Sequence, residues 1–279
     1  MTNIQAPGGD ERAPERPVFA DRQLAEFIAS MSAGPPMSAS GDVVELRRAT
    51  AERVRLRPAG PEMATIDVSL ANGRCRARLY RPDGRSGAVV VYLHGGGWTI
   101  GGVDTHDRAC RRLADRSRLS VLSVDYRLSP EHPFPAAIDD AVAALEWVSS
   151  CPDELGESPD FVAVVGDSAG GTVAALAAIR LRDTELAPDL LMLLYANTDL
   201  AANGGSMDKY AHGFGLDAGD VERFNRHWVP DRLRWTDPDI SPLRAADLSG
   251  LCPTLVLTCE FDPLRDQAEA FGQRLITAG

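Results

Sequence analysis

From Ala88 onward the chain carries short, continuous runs that are apolar but for a few Ser and Thr: Ala88–Leu93, Leu119–Val124, Phe161–Val165, Leu190–Tyr195 and Thr254–Cys259. Continuous runs of this length predict parallel strands covered on both faces. Asp104–Arg116, Pro135–Ser149 and Ala169–Arg182 lie between most of them and read as helices. This alternation predicts right-handed crossovers and a doubly wound α/β sheet, mostly parallel, with helices on both faces. Asp266–Ala278 reads as a further helix, with Phe271 and Leu275 on one side and Gly279 as its C-cap.

Upstream the period changes. Ile66, Val68 and Leu70 alternate with polar residues. After Asn72-Gly73, Cys75, Ala77 and Leu79 alternate with Arg74, Arg76 and Arg78. This predicts a half-buried β-hairpin at a sheet edge. Asp21–Met31 carries Leu24, Phe27, Ile28 and Met31 at helical spacing, with Asp21 as N-cap and Gly34-Pro35-Pro36 as terminator; Asp42–Arg53 predicts a second helix. These helices either cover a site or pack on the sheet's flank. Ala201–Thr236 breaks the strand–helix rhythm with a long Gly- and Asp-rich stretch carrying Phe214, Phe224, Trp228 and Trp235. An insertion of this kind in an α/β domain is expected to cover a site. The expected organisation is a disordered tail over 1–20, cap helices over 21–55, and a core over 56–279 with a cap insertion near 201–236.

Two stretches carry chemistry. Gly166-Asp167-Ser168-Ala169-Gly170 joins a predicted strand directly to a predicted helix. In that context G-x-S-x-G reads as a nucleophile elbow, with Ser168 on a strained turn and a helix N-terminus beneath it. Its bland alternative is a Ser-Gly turn between buried elements. His94-Gly95-Gly96-Gly97-Trp98 follows another strand end. Successive glycines there cost backbone entropy, and they make sense where N–H groups face a cavity as an oxyanion hole. A phosphate loop is the rival, but neither the dinucleotide spacing nor a following Gly-Lys-Ser/Thr is present. His94 is expected to orient this loop by hydrogen bonding.

Composition narrows the partners. The net charge is −11, basic residues are almost all Arg, and Lys209 is the sole lysine. Without a basic run, nucleic acid and anionic membranes are not expected partners. The five cysteines, Cys75, Cys110, Cys151, Cys252 and Cys259, follow no zinc or redox spacing. They are expected to be reduced thiols in a cytoplasmic protein, with Cys252 and Cys259 as small buried hydrophobes. Met1–Pro17 lacks the apolar core of a signal peptide, and no run reaches membrane-spanning length.

His94–Trp98 together with Gly166–Gly171, the block Asp125–Asp140, Ser241-Pro242-Leu243 and Glu260–Asp266 resembles the hormone-sensitive-lipase-like (bacterial family IV) esterases of the α/β-hydrolase superfamily. The resemblance runs from about Ala88 to the last residue. It implies an α/β-hydrolase fold with a small helical cap, and hydrolysis of short to medium acyl esters without metal or organic cofactor. Amide or N-acetyl hydrolysis is the nearby variant. It implies Ser168 as nucleophile, Asp262 as the acid of the triad, and Gly96, Gly97 and Ala169 as oxyanion donors. His94, Gly95 and Asp167 support the two motifs. A small-molecule ester is the implied partner; the oligomeric state is open, a homodimer among the options.

The position of Asp262, directly after the apolar run Thr254–Cys259, also favours it over Asp266, which is expected to start the next helix. A serine nucleophile needs a general base, and in this fold a histidine follows the acid. His94, His106, His132, His212 and His227 all precede Asp262. His132 is expected to pack within its proline-rich block. The expectation is a core lacking its C-terminal strand and histidine loop, which would leave Thr254–Cys259 as an exposed apolar edge. The alternative that the missing base favours is a non-catalytic small-molecule binder on the same scaffold.

Overall fold

The computed structural model describes residues 21–32, 42–84, 87–156 and 158–279. The expected tail over 1–20 and the Gly34-Pro35-Pro36 terminator lie outside the described residues, as do the side chains of Phe27 and Met31. Among the described residues, seven strands form one sheet: β1 (Ala64–Leu70), β2 (Cys75–Arg81), β3 (Ala88–Leu93), β4 (Ser120–Asp125), β5 (Phe161–Asp167), β6 (Leu190–Leu194) and β7 (Thr254–Leu257). Their order is β1-β2-β4-β3-β5-β6-β7. The β1–β2 and β2–β4 pairs are antiparallel, and every pair from β4 to β7 is parallel. This is the mostly parallel, doubly wound sheet that the apolar runs predict.

The hairpin forms at the edge as expected. Val68 and Leu70 on β1 and Cys75, Ala77 and Leu79 on β2 are buried. On the opposite face Arg78 pairs with Asp67 at 2.6 Å. Asn72 takes a left-handed conformation at the turn, which Asn tolerates better than most residues.

Helices α3 (Val103–Ser117), α4 (Ala136–Ser149), α5 (Ala169–Leu181) and α8 (Arg265–Ala278) flank the sheet. Odd-numbered positions of the central strands (Val89, Val91, Leu93, Leu191, Leu193) join α4, α5 and Phe271 of α8 in the larger core. Even-numbered positions (Val90, Tyr92) join Val121 and α3 in a smaller one. The alternation of period 2 thus sorts one apolar run onto two faces.

One expectation needs correcting. The run forming β7 predicts burial on both faces, but Leu255 and Leu257 are 49% and 45% exposed. They pair in register with Met192 and Leu194, on the face carrying α3, and α3 contacts β2 and β4 rather than this end of the sheet. Among the described residues, no helix is long and apolar enough to cross a membrane.

The remaining helices sit near the carboxyl ends of the parallel strands. They are α1 (Arg22–Ser32), α2 (Val43–Arg55), α6 (Ser206–Lys209) and α7 (Ala218–Trp228). Asp21 caps as predicted, accepting from Gln23 and Leu24 N–H at 2.7 and 3.0 Å, and Asp42 caps α2 by accepting from Val44 N–H at 2.8 Å. Helix α7 is anchored by Trp228, which stacks on Trp98 with ring centroids 4.2 Å apart.

Candidate active site

Strand β5 ends at Asp167, and α5 begins at Ala169. Ser168 between them has φ 52° and ψ −121°, a sparsely populated conformation for a residue with a side chain. Holding a residue there costs roughly 1–3 kcal/mol, so the surrounding structure must enforce it. The Ser168 N–H is bonded to Leu194 O at 2.8 Å, tying the turn to the end of β6. A Cβ at Gly166 would strike the Gly170 backbone, and one at Gly170 would strike Leu93 O. The two glycines therefore let α5 start hard against β5 and the end of β3.

The glycine loop Gly95–Gly97 leaves the end of β3 beside this turn. Gly95 N–H donates to Asp167 Oδ1 at 2.9 Å, and its Cα has no room for a side chain against the same carboxylate. Gly96 O accepts from Thr99 and Ile100 N–H at 3.0 and 2.9 Å. In a planar trans peptide the next N–H points the opposite way, so the Gly97 N–H is aimed away from that turn. His94 Nδ1 lies 2.8 Å from Gly95 O, which likewise sets the direction of the Gly96 N–H. A carbonyl only accepts, so Nδ1 carries the proton of neutral His94 and Nε2 is the bare nitrogen. Gly96 and Gly97 have φ of 124° and 56°. A Cβ at Gly97 would overlap the Phe224 ring.

Behind the loop lies a buried polar cluster. Asp167 accepts a second bond from Tyr92 Oη at 2.8 Å, and its other oxygen lies 3.8 Å from His106 Nε2. Burial opposes ionisation of Asp167, but His106 and Tyr92 outweigh it and hold the carboxyl below its ordinary range. His94 stacks between Tyr126 and His106, with ring centroids at 4.2 and 5.2 Å. Burial and the neighbouring His106 push its pKa down to about 4.

Gly96, Gly97, Ser168, Ala169 and Asp262 all line one cavity of about 860 Å³. Asp262 follows β7 as predicted and accepts from Leu264 N–H at 2.8 Å. Burial raises its pKa, against that single stabilising bond. Asp266 instead bonds Ser206 N–H at 2.8 Å, tying α8 to α6. The remaining walls are largely apolar, with Leu24 and Ile28 of α1, Ile100, Phe214, Leu216 and Phe224 among them, beside polar groups such as Asn197, Asn225 and Glu260. Phe214 and Phe224 come from the 201–236 segment, and α1 supplies Leu24 and Ile28.

None of the five histidines lines this cavity. His94 and His106 lie behind the glycine loop, and His227 Nδ1 sits 3.3 Å from Thr99 Oγ1. His212 is paired with Asp217 at 3.6 Å. His132 is exposed, contrary to the expectation that it packs, because its block turns outward there. Cys252 is half-buried, and Cys259, expected to be buried, is exposed and lines the cavity rim. No group of His, Cys, Asp or Glu is arranged to hold a metal among the described residues. Leu24, Ile28 and Phe224 line the cavity from the two segments expected to cover a site, whereas the link of Asp167 to His106 was not legible because it spans a long sequence separation.

The profile of the alpha/beta hydrolase fold family matches residues 90–279. The chain belongs to that family, in its hormone-sensitive-lipase-like esterase branch. It is 42% identical over 232 residues to the carboxylic ester hydrolase LipN of Mycobacterium tuberculosis, an alignment covering 79% of this chain and 62% of LipN. The chain thus spans less than two thirds of LipN. It is 36% identical to esterase LipI of the same organism, covering 98% of this chain and 87% of LipI. A hyperthermophilic esterase from Pyrobaculum calidifontis superposes with a TM-score of 0.83 at 38% identity, covering 93% of this chain and 86% of that one.

Proposed function

We propose that the protein is a carboxylic ester hydrolase in which Ser168 is the nucleophile. The observation that carries this reading is the convergence of the strained Ser168 turn, the glycine loop and Asp262 on one apolar cavity. Ser168 Oγ attacks the ester carbonyl, and the alcohol leaves when the tetrahedral intermediate collapses to the acyl-enzyme. Water then releases the acid. The N–H groups of Gly96, Gly97 and Ala169 receive the developing oxyanion, aided by the N-terminus of α5. Asp262 orients the histidine that takes the Ser168 proton. That histidine is none of the five in Met1–Gly279.

The substrate is a small-molecule ester with a short to medium acyl chain, which suits a largely apolar cavity of about 860 Å³. The free, scattered cysteines favour a cytoplasmic setting. Hydrolysis of p-nitrophenyl esters of increasing acyl length, beside the matching anilides, by the protein expressed from its complete gene tests the reading. Ester turnover peaking at short to medium chains and exceeding anilide turnover is the expected result. The absence of a histidine at the cavity favours a second reading, a non-catalytic binder. Tight ester binding with no product formed would support it instead.

A further inference from the structure

The cap grips the glycine loop directly. Arg47 projects from α2, and its Nε donates to Thr99 O at 2.8 Å, two residues beyond Gly97. Its Nη2 donates to Ser129 O at 3.0 Å, and the guanidinium is bidentate to Glu131 at 2.7 Å on both oxygens. Ser129 in turn holds Trp98 O through its N–H and Oγ at 2.8 and 3.0 Å. The carbonyls of Trp98 and Thr99 are therefore both fastened outside the loop. On the opposite side α7 supplies His227 beside Thr99 Oγ1, and Thr99 Oγ1 donates to Gly97 O at 3.0 Å. Leu46 of α2, Ile100 of the loop and Phe224 of α7 form a buried apolar cluster of their own, each 5–6% exposed.

We propose that Arg47 is a positioning residue that couples the seating of cap helix α2 to the geometry of the Gly96–Gly97 N–H groups. The inference rests on the esterase reading given above. A planar guanidinium fork matches two carbonyls and a carboxylate at once, which a single ammonium does not. With α2 seated, the turn Gly96–Ile100 has its outward carbonyls occupied and holds one orientation. With Arg47 removed, Thr99 O and Ser129 O lose that donor and the turn is free to rotate its peptide planes. Displacing oxyanion donors affects the transition state more than bound substrate, so the effect falls on kcat.

The experiment compares the full-length protein with Arg47→Met and Arg47→Lys, reading ester hydrolysis and amide hydrogen exchange. Arg47→Met is expected to lower kcat about 10- to 100-fold with KM changed less than about threefold. Arg47→Lys is expected to recover part of the loss, because an ammonium still reaches one carbonyl. Exchange is expected to quicken at Thr99 and Ile100, whose N–H groups close the turn, while Ala163–Thr172 keeps its protection. Unchanged kcat and unchanged exchange at Thr99 and Ile100 would overturn the proposal. So would faster exchange spread evenly over the sheet, which marks general destabilisation. If the wild-type protein hydrolyses no ester, the esterase reading fails, and the exchange comparison still decides whether Arg47 holds the loop.

Discussion

Asp167 Oδ1 accepts the N–H of Gly95 at 2.9 Å, joining the residue before Ser168 to the first glycine of the loop. Two segments more than seventy residues apart are thereby locked in one register, with Tyr92 and His106 completing the carboxylate's environment. A charged hydrogen bond of this kind contributes about 1.5–3 kcal/mol, and stranding its buried partners costs a comparable amount. Asp167→Ala is expected to lower unfolding free energy by about 2–4 kcal/mol and kcat by at least about tenfold. Asp167→Asn keeps one acceptor oxygen and is expected to fall between. Denaturant titration and steady-state kinetics check both. Equal kinetics for wild type and Asp167→Ala would remove Asp167 from the positioning of the loop.

Gly97 combines a φ of 56° with a Cα facing the Phe224 ring. Gly97→Ala is expected to cost about 1–3 kcal/mol through strain and overpacking, and to lower kcat about 100-fold as the N–H is displaced. Phe224→Leu added to Gly97→Ala relieves the overlap but leaves the φ penalty, so partial recovery of kcat is expected. A double variant no better than Gly97→Ala would show that steric pressure from the cap is not the cause.

Burial keeps His94 neutral, its pKa pushed from 6.5 down to about 4. The unfolded chain takes up a proton below pH 6.5, and the folded chain does not until about 4. Stability from this group is therefore full above 6.5 and declines as pH falls from 6.5 to about 4. The slope approaches about 1.4 kcal/mol per pH unit in mid-window. Thermal unfolding between pH 7 and 4.5 is expected to show this decline. His94→Asn, which has no titrating ring, is expected to lower stability overall but to flatten the slope by close to one proton. Parallel slopes for the two proteins would refute the assignment.

Much of this was legible in the sequence. The apolar runs located every strand of the parallel region, because strands buried in the sheet are made mostly of apolar residues, with small polar ones such as Ser120 and Ser123 the exception. The turn glycines at Gly166 and Gly170 announced a close approach that the backbone geometry explains. What was not legible is two-sided or long-range. The run at Thr254–Leu257 looks like its neighbours, yet Leu255 and Leu257 lie on a face that α3 does not reach. Arg47 belongs to a polar helix face that reads as solvated until Thr99 O and Ser129 O are brought to it. His106 shows no local pattern that separates it from an ordinary helix residue.

That exposed strand has a consequence for solution behaviour. β7 is an edge strand of four residues with two half-exposed leucines, and unpaired apolar edges associate. The 279-residue chain is expected to self-associate at concentrations where Leu255→Lys/Leu257→Lys remains monomeric. Sedimentation velocity over a concentration series measures the difference. Identical profiles for the two chains would place any association elsewhere.

The central claim is that Ser168 forms the acyl-enzyme, and the most direct measurement is ester turnover by Ser168→Ala. The protein from the complete gene, assayed on p-nitrophenyl butyrate, is expected to lose its hydrolysis down to the residue that binding and the oxyanion donors supply, about 10³–10⁴ over water. Circular dichroism should show the fold intact, since Ala at this position removes only the hydroxyl. Turnover by Ser168→Ala within a few-fold of wild type would contradict the account.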